Sequence, residues 1–356
     1  MTAPVPVPVP VPVSVRPHST RGGERRAPPT DGPLVDRYGR VHTDLRISVT
    51  DRCNLRCVYC MPEKGMSFLP RPALLSFDEI TRVAQIARDL GVTSVRITGG
   101  EPLVRKGLPA LIGRLAALGF EDVALTTNGM ALAQWAGPLA GAGLRRVNVS
   151  CDSLRPQRFA SLRRRGDLGA VMAGMAAAEA AGLAPLKVNV VLLRGVNDDE
   201  VLDFASWART TGRIVRFIEF MPLDAQGQWH RHRLVPGREV LERISSKWPL
   251  VPAALDAAPA DQYRFADGAG GIGVISSVTQ PFCGTCDRLR LTADGALRNC
   301  LFTNDEHHLR DLLRGGGGDA DIALLLRAAV WDKYPGHGVN EPGFLSPARS
   351  MSMIGG

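Results

Sequence analysis

Six of the seven cysteines fall into two groups of three. The first is Cys53-x3-Cys57-x2-Cys60, and the second is Cys283-x2-Cys286-x13-Cys300. Thiolates are soft ligands that suit iron–sulfur clusters. A [4Fe–4S] cluster has four irons, so three thiolates leave one iron open to a small molecule. Zinc is the alternative at each group. Structural zinc wants four ligands, and His307 and His308 are the only histidines near the second group. The ferredoxin pattern would add a fourth cysteine followed by proline, which the first group lacks. A long chain without a visible signal peptide argues against a disulfide framework. Cys151 stands apart and reads as a small buried core residue.

Anion-binding chemistry is the second theme. Asp287-Arg288-Leu289-Arg290 follows the second cysteine pair directly. If that stretch is extended, both guanidiniums share one face. Taken alone they read as a solvated pair on an edge strand; beside an open iron they would hold an anion. Arg46, Arg96, Lys187 and Arg216 each sit inside a β-branched run. An unpaired charge packed under a helix is very costly, so these cations should point into a wet interior. Plainer readings exist: Lys187 as a strand-edge residue, Arg96 paired with Glu101, Met221 as core filler. Arg163-Arg164-Arg165 reads as a solvated helix face or loop, with no function assigned.

The elements that would position these residues begin at Asp44. Strands are expected at 45–49, 93–98, 122–126, 146–150, 186–192 and 214–220, with Ala/Leu-rich helical stretches between them. Ser76-Phe77-Asp78-Glu79 has the form of a capping box, and so does Asn197-Asp198-Asp199-Glu200. Helices between strands imply a parallel sheet with right-handed crossovers. An open doubly wound sheet and a partial barrel both fit. The cations inside the strands favour the barrel, as do polar residues at strand ends (Thr98-Gly99-Gly100-Glu101, Thr126-Thr127-Asn128-Gly129, Ser150-Cys151-Asp152, Glu219-Phe220-Met221). The expected fold is therefore α/β, an incomplete (β/α)6 TIM-like barrel with a C-terminal extension carrying the second cysteine group. Short strands are expected at 262–266 and 272–278, and a helix near 306–314.

Residues 5–13 alternate proline and valine, which keeps a chain extended and solvated. The chain divides into a disordered Pro/Val/Arg-rich tail over 1–40, a barrel over 41–225 and a C-terminal region over 226–356. The tail is Arg-rich and acid-poor, as targeting peptides are, but Pro-Val repeats do not make their amphipathic helix. Net charge is +8 over 356 residues. Residues 1–30 supply about three of those charges, four arginines less Glu24. The remainder is only mildly basic and suits a polyanionic small substrate as well as nucleic acid. Apolar content is 45%, and no uncharged run approaches the ~18 residues of a membrane helix. A soluble, cytoplasmic protein is expected.

With Tyr59 as the aromatic of C-x3-C-x-aromatic-C, the first cysteine group resembles the signature of the radical S-adenosylmethionine superfamily. Gly99-Gly100-Glu101-Pro102 resembles its GGEP stretch. The wider wording is similar to the GTP 3′,8-cyclase family from about Asp44 to Gly356. The most specific parts are Asp44-Leu-Arg46-Ile-Ser-Val-Thr-Asp-Arg-Cys-Asn, Val95-Arg96-Ile-Thr-Gly-Gly-Glu-Pro, Asn148-Val-Ser150-Cys-Asp-Ser-Leu, Lys187-Val-Asn189, Arg216-Phe-Ile-Glu-Phe-Met221, Cys283-x2-Cys286-Asp-Arg288-Leu-Arg290 and the Gly355-Gly356 end.

That resemblance implies roles. Cys53, Cys57 and Cys60 would hold the [4Fe–4S] cluster that cleaves S-adenosylmethionine. Tyr59, Gly100, Ser150 and Met221 would line the pocket of that cofactor. Cys283, Cys286 and Cys300 would hold a second [4Fe–4S] cluster whose open iron meets guanine. Arg46, Arg96, Thr126, Lys187, Arg216, Arg288 and Arg290 would bind GTP. Arg288, Arg290, Gly355 and Gly356 would serve catalysis, the Gly-Gly tail reaching into the site. The implied reaction abstracts the ribose 3′ hydrogen and joins C3′ to C8 of guanine, the first step of molybdenum-cofactor synthesis. The implied partners are a flavodoxin or ferredoxin reductant, a downstream cyclic pyranopterin monophosphate synthase and a second copy of the chain, with no nucleic acid or membrane. Two rivals remain: a peptide-modifying radical enzyme, which would typically carry more C-terminal cysteines, and a zinc-stabilised nucleic-acid-binding protein, for which no basic helix or RNA-binding motif appears.

Overall fold

The computed structural model describes residues 27–355 apart from 65, 224–226, 228 and 254–259. The Pro-Val repeat and Gly356 therefore lie outside the described residues. Six strands alternate with helices along the first part of the chain: β1 (Asp44–Ser48), α1 (Phe77–Asp89), β2 (Ser94–Thr98), α2 (Leu108–Ala117), β3 (Asp122–Thr127), α3 (Leu132–Gly141), β4 (Arg146–Ser150), α4 (Pro156–Arg163), α5 (Leu168–Ala180), β5 (Lys187–Leu192), α6 (Val201–Thr211) and β6 (Ile214–Glu219). Each strand is within a residue or so of its expected range.

The alternation of side chains explains why these segments are strands. Leu45 and Ile47, Val95 and Ile97, Val123 and Leu125, and Val147 and Val149 are essentially inaccessible and pack in one core with Ile80, Leu111, Leu139 and Val171 of the helices. Burying each such side chain contributes roughly 1.5–3 kcal/mol. The outer strand faces thus supply most of the cohesion, and the inner faces are free to carry polar groups.

Strands β1 to β6 are parallel neighbours in chain order. The C-terminal region then completes the sheet from both sides. It forms α7 (Gly237–Ser245), β7 (Leu250–Pro252), β8 (Asp261–Phe265), β9 (Gly271–Ile275), β10 (Arg288–Leu291), β11 (Ala296–Arg298), β12 (His307–His308), α8 (Leu309–Arg314), α9 (Asp319–Trp331) and α10 (Met351–Ile354). β9 adds in parallel to β6, and β10 in parallel to β1. The parallel part of the sheet therefore has eight strands, and β10 is interior rather than an edge. One cavity takes lining side chains from all eight, so the sheet curls around it.

Two local expectations need correction. Ser76 and Glu79 do form the reciprocal capping box at α1. Asn197 does not cap: its amide donates to the carbonyls of Asp152 and Val191 and accepts from the Leu193 amide. Glu200 is likewise drawn away to the Ser153 hydroxyl and the Leu154 amide. Those two residues brace the loops after β4 and β5 instead. Finally, the folded unit begins before residue 41. Leu34 is fully buried, Asp36 is 2% exposed, and a bridge joins Val35 to Val41.

Candidate functional site

The topology places the two cysteine groups at opposite ends of one strand pair. The Cys53–Cys60 loop follows the C-terminal end of β1. Cys283 and Cys286 precede the N-terminal end of β10, which runs parallel to β1 with Arg288 opposite Asp44. Strand β11 is antiparallel to β10, so Cys300 just beyond it returns to the end where Cys286 lies. A strand of five residues spans about 17 Å. All six cysteines line one cavity of about 270 Å³.

Between the two groups lies a row of guanidiniums. Arg290, Arg46 and Arg96 are register partners on the adjacent strands β10, β1 and β2, so they share a face. All three line the cavity with Arg216 and Arg288. Arg46 reaches Asp44 at 3.4 Å, and Arg216 donates to the Asn189 side chain at 3.0 Å. Burial and the neighbouring Arg46 push Arg96 down to about 10. Burial, Arg46 and Arg288 push Arg290 down to about 9. Both stay charged at neutral pH. The Nε atoms of Arg96 and Arg288 are buried with no hydrogen-bond partner among the described residues. A dense anion would satisfy them. The Arg96–Glu101 pair considered from sequence does not form. Glu101 instead accepts from the Leu103 and Asn128 amides and the Thr127 hydroxyl.

The cavity also receives Tyr59, Gly100, Thr126, Ser150 and Met221. Lys187 is not among its lining residues. It shares the inward face of β5 with the lining residues Asn189 and Val191, one step nearer the start of the strand. Gly355 reaches the row from the C-terminus: its carbonyl accepts from Arg290 Nη1 at 2.6 Å. His307 and His308, the zinc candidates, pair instead with β11. Cys151 is buried in the main core, with no exposed surface.

Gly100 has a reason that sequence did not disclose. A Cβ there would stand 2.4 Å from the Arg52 carbonyl oxygen. The Gly100 and Glu101 amides donate to Thr50 and Arg52. The glycine thus lets the β2 loop pack directly on the backbone that leads into Cys53.

The thiol environments differ. Burial pushes Cys53 up to about 12 and raises Cys57 and Cys60 as well. Burial also opposes ionisation of Cys286, but Arg288 and Lys333 outweigh it and bring that thiol down to about 7. Lys333 donates to Cys286 Sγ at 3.2 Å and to the Arg288 carbonyl at 2.9 Å. Among the described residues no three His, Cys, Asp or Glu side chains converge on a point that would hold a single ion. A multi-iron cluster makes no such demand, because each thiolate binds a different iron. The residues fit that kind of group.

Arg163 and His337 carried no sequence signal for the site, whereas Asp152 and Asn128 were marked only as polar residues at strand ends. Arg163 is 3% exposed, lines the cavity and donates to Cys57 Sγ at 3.0 Å. It is therefore not part of a solvated face. Asp152 accepts from Tyr59 at 2.6 Å and from the Val191 amide at 3.0 Å. His337 lines the cavity with its ring against Phe302. Asn128 lines it too, with its amide near Cys53.

Comparison with known proteins bears on this arrangement. Residues 47–208 match the family model of the Radical SAM superfamily, and residues 213–339 match that of Molybdenum Cofactor Synthesis C. A relative from Mycobacterium sp. (strain KMS) named GTP 3′,8-cyclase is 50% identical over 332 residues, covering 92% of this chain and 95% of the relative. One of the same name from Streptomyces coelicolor is 49% identical, covering 91% and 96%. Among solved structures, Streptococcus suis SuiB bound to S-adenosylmethionine shares the fold at TM-score 0.59 and 13% identity, over 87% of this chain and 68% of that one. Native anSMEcpe with bound AdoMet does so at TM-score 0.54 and 13% identity, over 83% and 82%.

Proposed function

Given that the chain belongs to the GTP 3′,8-cyclase family of radical S-adenosylmethionine enzymes, we propose that it converts GTP to (8S)-3′,8-cyclo-7,8-dihydroguanosine 5′-triphosphate in molybdenum-cofactor biosynthesis. The observation that carries this reading is the shared cavity: two incomplete thiolate sets with a row of buried guanidiniums between them.

Cys53, Cys57 and Cys60 would hold one [4Fe–4S] cluster, and Cys283, Cys286 and Cys300 a second. When bound, the first cluster with S-adenosylmethionine supplies the hydrogen-abstracting radical, and the second offers an open iron to the base. The chain's own residues do the positioning. Tyr59, Gly100, Ser150 and Met221 border the place of the sulfonium cofactor. Arg46, Arg96, Arg288 and Arg290 neutralise the triphosphate, with Thr126, Arg216 and Lys187 on the same inner surface. Such a clamp fixes the ribose relative to the radical source, which is where an enzyme of this kind gains rate. Gly355 brings its carbonyl onto Arg290, and Gly356 is assigned to catalysis beside it on family resemblance alone.

We read the six βα units as an incomplete (β/α)6 barrel, and 226–356 as the segment that adds the second cluster. A flavodoxin or ferredoxin reductant, delivery to cyclic pyranopterin monophosphate synthase, a homodimer and a cytoplasmic setting complete the reading on family resemblance alone. No helix among the described residues is long and apolar enough to cross a membrane.

The test is anaerobic reconstitution with iron and sulfide, followed by GTP, S-adenosylmethionine and a reductant. Parent protein should yield 5′-deoxyadenosine and cyclised GTP, and Cys57→Ala neither. Product from Cys57→Ala would overturn the cluster assignment.

A further inference from the structure

Arg163 closes α4 and turns its guanidinium inward, onto the loop of the first cysteine group. Nη1 donates to Cys57 Sγ at 3.0 Å, and Nη2 lies 2.9 Å from Asp152 Oδ2. The guanidinium carbon is 5.9 Å from the Tyr59 ring and 5.8 Å from the Phe159 ring. Cys57 is itself buried, at 7% exposure.

The backbone enforces this contact. The amides of Arg56 and Val58, on either side of Cys57, donate to the carbonyls of Arg163 and Leu162. Arg164 then adopts φ 59°, and is the one non-glycine residue with positive φ among the described residues. That left-handed residue ends the helix and turns the chain away. A side chain there costs about 1 kcal/mol or more relative to glycine. The chain thus holds a strained link directly after the residue that reaches Cys57.

We propose that Arg163 sets the reduction potential of the cluster held by Cys53, Cys57 and Cys60, acting as a positioning and tuning residue rather than a catalytic one. This rests on assigning the cluster to those cysteines. Reduction adds one electron, and the added negative charge spreads onto the sulfurs. A buried cation hydrogen-bonded to one thiolate favours the reduced form and raises the potential. Low local polarity keeps the effect strong. Asp152 opposes it, since its carboxylate offsets part of the guanidinium charge. The two residues therefore form a pair with opposite effects on one cluster. Tyr59 and the Val191 amide hold Asp152 in place from the other side.

The experiment is a redox titration of the reconstituted full chain followed by electron paramagnetic resonance. The signal to follow is the one that changes shape when S-adenosylmethionine is added. Arg163→Met should move its midpoint to more negative potential with iron and sulfide content retained. Arg163→Lys should fall between Arg163→Met and parent, and Asp152→Asn should move it to more positive potential. The other cluster's midpoint should stay where it was. An Arg163→Met midpoint equal to parent overturns the proposal. Loss of the first cluster's iron in both Arg163 variants overturns it too, by making the arginine a folding group. Cys57→Ala separates the two levels: persistence of the S-adenosylmethionine-sensitive signal there would sink the cluster assignment itself.

Discussion

Arg290 Nη1 and the Gly355 carbonyl are joined at 2.6 Å, across 65 residues of chain. The bond carries the C-terminus into the cavity and gives a buried guanidinium a partner. Gly355 has φ +82°, and a Cβ there would lie 2.5 Å from Thr98 Oγ1 and 3.2 Å from Ser48 Cβ. Ser48 and Thr98 are themselves register partners at the ends of β1 and β2. The tail passes so close to that pair that only glycine fits.

Gly355→Ala should therefore push the tail off Arg290. A hydrogen bond to a charged group contributes about 1.5–3 kcal/mol, so a loss of tenfold or more in turnover is expected. The fold should survive, because the substitution lies at the chain end. Turnover and thermal melting of the variant together check this; an unchanged rate would mean that the tail contact is idle.

Arg96→Met should trade affinity for stability. Arg96 is half-buried, with a buried and unpartnered Nε, and faces Arg46 on the next strand. Replacing it by an apolar group of similar length removes a desolvation cost, and about 1 kcal/mol of stabilisation is expected in ligand-free protein. GTP should bind some 10- to 100-fold more weakly, the worth of one charge-assisted contact. Denaturation and equilibrium GTP binding measure the two effects. Loss of both would show that the arginine holds the strand rather than the nucleotide.

Acid should destabilise the protein through His42. Burial and the nearby Lys333 push this imidazole down to about 4, against the pull of Asp36, whose carboxylate stands 3.1 Å from Nε2. A histidine lowered in the folded state binds its proton more readily when unfolded. Its stabilising effect is therefore complete above about pH 6.5 and is lost as pH falls towards 4, to the extent of about 3 kcal/mol. Asp36 is lowered too, so its own contribution fades only below the ordinary aspartate range. In His42→Asn the decline between pH 6.5 and 4 should flatten. Urea unfolding across that window decides it.

How much of this was legible in the sequence depends on which forces placed each residue. The six strands and their inward cations could be read because side chains alternate along a strand and one face must be apolar. Arg288 and Arg290 could be read as sharing a face for the same reason. Their position inside the sheet could not, since β10 pairs with β1, Arg288 lying opposite Asp44 from far earlier in the chain. Glu219 looked like a site residue at a strand end. It instead accepts from the Gly237, Val278 and Thr279 amides and does not line the cavity. A polar strand end can serve a loop as well as a ligand, and the residue type is the same in both cases. Arg163 was hidden among three arginines. Which of them turns inward depends on the left-handed backbone at Arg164, and periodicity carries no trace of that.

The segment before β1 shows the same limit and leads to the last prediction. Arg40 fell inside the region expected to be a tail. Yet its Nη1 donates to the Cys283 carbonyl at 2.6 Å, its Nη2 to the Tyr334 carbonyl at 2.7 Å, and its Nε to Asp36 at 2.5 Å. Tyr334 follows Lys333, the donor to Cys286. One side chain thus ties the second cysteine loop and the end of the chain that carries Lys333 to the N-terminal segment. Arg40→Ala would leave Asp36 and two carbonyls short of donors, at a cost of about 1–3 kcal/mol each where water cannot enter. The global fold has its main core elsewhere, so the loss should be local. Reconstituted Arg40→Ala is expected to hold about half the parent's iron, by the count of two equal clusters, while the signal that responds to S-adenosylmethionine persists. If iron falls in both clusters together, the N-terminal segment supports the whole sheet and not the second loop alone.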